Sequence, residues 1–217
     1  DGCAFTWVEV EPLPPVLYAR LEDMAQAGIG SLDDLERIEA ARLTYDVDVF
    51  APGSSGNLVA RIPGADTSQA MILGAHIDSP NNPGAMDDAS GSAILVEIAR
   101  VLDSARLQPP TDLYLAWFGS EELGLLGSKH FVSTHAELMG RTVAMLQIDG
   151  LTYPRDGIHA EVTLVTWSES ELGAARLDWP AHLSEAAGRK GVTVSLEDAP
   201  EVYSDNYPFD SFSVPNA

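Results

Sequence analysis

Residues 70–79 read AMILGAHIDS, six apolar or small residues from Ala70 to Ala75 followed by His76, Ile77, Asp78 and Ser79. A continuous apolar run of this length, without the alternation of a half-exposed strand, fits a strand buried on both faces of a parallel sheet. It ends in groups that bind metal or move protons. The construction recurs twice. Residues 112–118 (DLYLAWF) run into Gly119-Ser120-Glu121-Glu122-Leu123-Gly124, and residues 143–148 (VAMLQI) run into Asp149-Gly150. Between these strands, residues 90–102 set Ile94, Leu95, Ile98, Ala99 and Leu102 on one helical face, and a second helix is expected over 123–134. Strand and helix alternating in this way predict an α/β three-layer sandwich, a mixed, mainly parallel sheet with helices on both faces.

Outward from this centre the pattern is looser. Residues 57–62 read as the hairpin partner of a strand over 44–50, across the turn Pro52-Gly53-Ser54-Ser55-Gly56. An amphipathic helix is expected over 13–27, closed by Gly28 and Gly30, with Ser31 capping another that runs to about 43. Residues 1–43 are thus expected to form an N-terminal helical segment packed on the main domain, which spans 44–217. Downstream, a strand over 161–167, a helix over 180–189 and an edge-like strand over 192–196 are expected.

The chain has 217 residues, 45% of them apolar, which suits one full-cored domain with a small appendage. No apolar run approaches the roughly 20 residues of a membrane-spanning helix. The chain opens at Asp1 with no basic or apolar leader segment. Acidic residues number 33 against 12 basic ones, a net charge of −21, and Lys129 and Lys190 are the only lysines. Such a surface opposes nucleic acid, which is bound through basic side chains. Cys3 is the single cysteine, so no disulfide forms within the chain, and any metal must be held by His, Asp or Glu.

In open α/β sheets the site collects at the carboxyl ends of the strands. Each acidic element has an ordinary use: Asp87 and Asp88 favour a helix start, Glu121 and Glu122 another, and Asp149 a turn before glycine. Their conjunction with His76 at successive strand ends is what a divalent cation of the zinc type requires.

The strings GAHIDS (74–79), PGAMDDASG (83–91), SEELGLLGS (120–128) and MLQIDG (145–150) resemble, in order and spacing, the motifs of the co-catalytic dizinc aminopeptidases. That family includes secreted bacterial leucyl aminopeptidases, glutamate carboxypeptidase and glutaminyl cyclases. The resemblance covers residues 57–149 closely. It implies a zinc exopeptidase catalytic domain over 44–217, taking peptide substrates with a free N-terminus, and a secreted or extracytoplasmic location. It implies two Zn2+ ions: His76 and Asp149 on one, Glu122 on the other, and Asp87 bridging both. Glu121 would be the general base acting on the attacking water, and Asp78 would orient the His76 ring.

The family's fifth ligand, a downstream His before Thr, has no counterpart. His159 and His182 lack its context, and the family's Ser-Asp-His segment reads Ser204-Asp205-Asn206 here. The resemblance therefore implies a chain whose C-terminal part is missing and whose second zinc site is incomplete. A single-zinc glutaminyl cyclase-like acyltransferase and a degenerate, non-catalytic binding module stand beside the peptidase as alternatives.

Overall fold

A computed structural model describes residues 3–4, 25, 28, 30, 31, 34, 53–79, 82–151, 161–166, 179–198 and 202–216. The expected helices over 13–27 and 31–43, the strand over 44–50, Trp167 and His159 fall almost wholly outside these residues. The chain divides into two compact units, one of Ala4–Gly53 and one of Asp1–Cys3 with Ser54–Ala217. In the smaller unit, Asp34 Oδ2 accepts from the Gly30 N–H at 3.0 Å and the Ser31 hydroxyl at 2.9 Å.

The larger unit is built on four strands: β1 (Leu58–Ile62), β2 (Asp66–His76), β3 (Thr111–Phe118) and β4 (Thr142–Gln147). Their order across the sheet is β1-β3-β2-β4. β2 lies parallel to both β3 and β4, and β1 is antiparallel to β3. Residues 57–62 thus find their described neighbour in β3, with Leu58 opposite Trp117. β2 starts four residues before the apolar run. Asp66 to Gln69 are exposed and polar, with Asp66 Oδ1 accepting from Ser68, so apolarity does not mark them.

Helix α1 (Ala89–Ser104) covers one face, where Leu95 packs with Leu73, Ala75, Leu113, Leu115 and Trp117. Helices α2 (Leu126–Thr134) and α3 (Ala136–Arg141) and a 3-10 helix (Tyr207–Phe212) supply the core of the other. There Phe118 meets Phe131 and Phe209 edge-on at centroid distances of 5.7 and 6.3 Å. The alternation of a strand sorts the two cores: Ala70, Ile72, Ala116, Phe118 and Met145 belong to one, and Leu73, Ala75, Leu115 and Trp117 to the other. This is the expected α/β layering. Further on, β5 (Glu161–Thr166), α4 (Trp179–Gly188) and β6 (Thr193–Asp198) follow, with β5 and β6 paired in parallel. No helix among the described residues is long and apolar enough to cross a membrane.

Candidate functional site

Three strand exits and one helix start meet at the carboxyl end of the parallel sheet. His76 closes β2 and is 1% exposed. Its Nδ1 lies 3.0 Å from the Asp78 carbonyl, which leaves Nε2 to face the acidic groups. Nε2 is 2.8 Å from Asp87 Oδ1 and 3.5 Å from Asp149 Oδ1. Asp149 is steadied from behind, its Oδ2 accepting from the Ser204 hydroxyl at 2.5 Å.

The two neighbouring aspartates at the α1 start have different work. Asp88 is 1% exposed and is the N-cap. Its Oδ1 accepts from the Gly91 N–H at 2.9 Å and its Oδ2 from the His76 N–H at 3.0 Å. Asp87 is half exposed, and its carboxylate is turned to the His76 ring. Among the described residues, one donor atom each of His76, Asp88 and Asp149 fall within 4.8 Å of one another. Each oxygen of Asp88 accepts one backbone N–H, whereas the half-exposed Asp87 turns Oδ1 to the His76 ring.

After β3 the chain turns sharply. Ser120 has φ 58° and Leu125 φ 60°, a left-handed conformation costly for non-glycine residues, and Gly124 has φ 101°. The expected helix over 123–134 accordingly begins only at Leu126, because residues 121–125 are spent on the turn. Asp78 organises it: its Oδ1 accepts from the Glu121 N–H at 2.9 Å and its Oδ2 from the Glu122 N–H at 3.2 Å. The Asp78 carboxylate itself stands 3.8 Å from His76 Nδ1. Asn57 braces the same turn, accepting from the Gly119 N–H at 3.1 Å and donating to the Gly127 carbonyl at 2.9 Å.

His76, Asp87, Glu121, Glu122 and Asp149 line one cavity of about 430 Å³, with Leu125, Lys129, Val202 and Tyr203 among its other walls. Asp78 stands behind the wall, holding the Glu121–Glu122 turn. Burial and the neighbouring carboxylates push Glu121 up to about 8. Burial, then Asp87, raises Glu122. Burial opposes charge on the His76 ring, but the hydrogen bond and charge of Asp149, with Glu121 and Asp88, lift it to about 10. Asp149 stays below its ordinary value despite burial, held by His76 and Ser204. So many carboxylates around one imidazole nitrogen call for a cation, and the mix of one nitrogen and several oxygens suits a borderline divalent ion such as zinc.

Sequence reasoning gave no role at the site to Asp88, Ser204, Asp205 or Lys129. Asp88 looked like a helix-start acid and is one, yet it also fixes the His76 backbone. Asp205 is fully buried beneath the site and receives the Ser128 hydroxyl on Oδ1, while burial pushes its carboxyl up to about 7. Lys129 joins the cavity from α2. Only the Ser204-Asp205-Asn206 string gave a signal in advance. His182 lies exposed on α4, away from the cavity lining.

An open, mainly parallel α/β sheet with a histidine and a carboxylate cluster at its strand exits defines the class of protein. The chain belongs to Peptidase family M28, matched over residues 57–217. It is 40% identical over 100 residues to leupeptin-inactivating enzyme 1 of Streptomyces exfoliatus, covering 45% of this chain and 23% of that protein. It is 30% identical over 158 residues to leucine aminopeptidase 1 of Ajellomyces capsulatus, covering 66% of this chain and 41% of the other. Its fold superposes on BSAP, a zinc aminopeptidase from Bacillus subtilis, with TM-score 0.61 and 26% identity, over 77% of this chain and 40% of that one. The chain thus spans less than half the length of these relatives.

Proposed function

We propose that the protein is a zinc-dependent aminopeptidase that hydrolyses the N-terminal peptide bond of its substrates, with Glu121 as general base. The observation that carries this reading is the convergence of His76, Asp87, Glu122 and Asp149 with Glu121 around one cavity. His76 and Asp149 would hold one zinc, Glu122 a second, and Asp87 both, since a carboxylate's two oxygens span a metal pair. When bound, the zinc ions polarise the scissile carbonyl and make water acidic enough to attack near neutral pH.

The remaining steps belong to the chain's own groups. Glu121 takes a proton from the attacking water and passes it to the departing amine. Asp78 fixes Glu121 and Glu122 through their backbone, so that consecutive carboxylates point to different tasks. Ser204 holds Asp149, and Asp88 holds the His76 main chain. The acidic lining attracts a substrate's N-terminal ammonium.

The test is hydrolysis of aminoacyl-p-nitroanilides by the complete protein. Turnover that stops on chelation and returns with zinc supports the reading. Turnover indifferent to chelator, or none in the zinc-loaded protein, rejects it.

A further inference from the structure

Lys129 is the one lysine or arginine lining the acidic cavity among the described residues, and it also lines a second cavity of about 530 Å³. It sits in the first turn of α2, exposed, and its ammonium donates to the Gly124 carbonyl at 2.8 Å. Helical side chains lean towards the helix start, which brings this one back over the turn that carries Glu121 and Glu122. Four carboxylates line the same cavity, yet Lys129 makes no ion pair with any described residue. Its charge is therefore not consumed in neutralising the site.

Elsewhere the molecule repels anions. With a net charge of −21 and only one other lysine, its field opposes the approach of any carboxylate. A short peptide nevertheless brings a carboxylate with it, a few bonds beyond the scissile amide. We propose that Lys129 binds the terminal carboxylate of short peptide substrates and so makes the enzyme selective for peptides with a free C-terminus. This inference rests on the aminopeptidase reading. Lys129 is shared with the second cavity, whose wall has Val132, Tyr207, Pro208 and Phe212 beside Asp210, and its apolar part takes the side chain of the residue that bears the carboxylate.

The experiment compares kcat/KM for Leu-Leu and Leu-Leu-amide with the complete zinc-loaded protein and its Lys129→Met and Lys129→Arg variants. The wild type is expected to favour the free acid. Lys129→Met should lower the acid-to-amide ratio about tenfold, the scale of one charge-assisted hydrogen bond, chiefly through KM. Lys129→Arg should retain most of the preference. Turnover of the amide by the same variants reports that they are folded and loaded. A ratio unchanged in Lys129→Met while both peptides are cleaved overturns the role of the lysine and leaves the aminopeptidase reading standing. Cleavage of neither peptide by the zinc-loaded wild type removes that reading, and the inference with it.

Discussion

The Asp78 carboxylate accepts the backbone N–H groups of Glu121 and Glu122 together, at 2.9 and 3.2 Å, and so couples the exit of β2 to the exit of β3. Two residues earlier in the same strand exit stands His76, whose Nδ1 meets the Asp78 carbonyl. One residue thus sets both the imidazole and the paired glutamates. Asp78→Ala is expected to lower kcat about 10- to 100-fold, the usual scale for residues that hold metal ligands in place. Zinc content measured on the same preparation should fall less than activity does. A variant with full activity would show that the turn at Ser120 is held by its other braces, Asn57 among them.

Glu121 and Glu122 are adjacent in sequence yet separable by experiment. In Glu121→Gln the amide still fills the space but no longer takes a proton, so turnover should fall by about 100-fold or more, within the range that general base catalysis contributes. Zinc content should stay near that of the wild type. Loss of metal from this variant would make Glu121 a ligand and reverse the two roles.

Asp87 and Asp88 separate in the same manner. Asp87→Ala should strip both zinc ions, as measured by metal analysis after dialysis, and retention of one tightly held zinc would count against a bridging role. Asp88→Ala instead removes an N-cap and uncovers the His76 and Gly91 N–H groups. It should cost roughly 1–2 kcal/mol of stability in denaturant titration. Metal loss should follow only as far as His76 shifts.

Away from the site, Asp112 is fully buried and gathers the Gly64 N–H at 3.1 Å, Arg61 Nη2 at 2.8 Å and Arg141 Nη1 at 3.0 Å. Burial raises its proton affinity, but these partners outweigh it and hold the carboxyl below its ordinary value. A depressed folded-state value stabilises above the unfolded carboxyl's roughly 3.9 and is lost as pH falls through the folded value. Arg141→Met should therefore lower the thermal midpoint at pH 7 and move acid unfolding to higher pH. The difference from wild type should shrink at the lowest pH reached, where Asp112 is protonated in both. A difference that persists there would assign the effect to Arg141's contacts with groups that do not titrate at low pH, the Thr67 carbonyl at 3.2 Å and the Tyr114 hydroxyl at 2.6 Å.

The sheet and the first half of the site are legible because each rests on local pattern. Apolar runs mark β2, β3 and β4, and the acidic strings follow them directly in the chain. What escaped was set at a distance. β1 pairs with β3 across some fifty residues, and nothing in residues 57–62 distinguishes that neighbour from a hairpin partner. The lengthened turn before α2 depends on left-handed residues at Ser120 and Leu125, neither of which is glycine. Asp205, Ser204 and Lys129 reach the site only through the packing of α2 and the 3-10 helix on the sheet, and no spacing rule in a single sequence encodes that.

Gly91 shows how closely the helix start and the strand exit are fitted. A Cβ built there would lie 2.2 Å from the Ile148 carbonyl oxygen and 2.6 Å from Asp88 Oδ1. The first of these is main chain, one residue before Asp149, and cannot swing aside. Gly91→Ala must push the α1 start away from the β4 exit, which separates Asp87 from Asp149 across the proposed metal. Overpacking of this kind costs about 1–3 kcal/mol. Zinc affinity should fall with stability, because the same displacement strains both. At Gly140 on α3 a Cβ meets nothing within 4 Å, so Gly140→Ala should leave zinc affinity unchanged and serves as the control. Equal zinc affinity in the two variants would mean that the Asp87 loop follows the helix freely, and that the glycine serves packing alone.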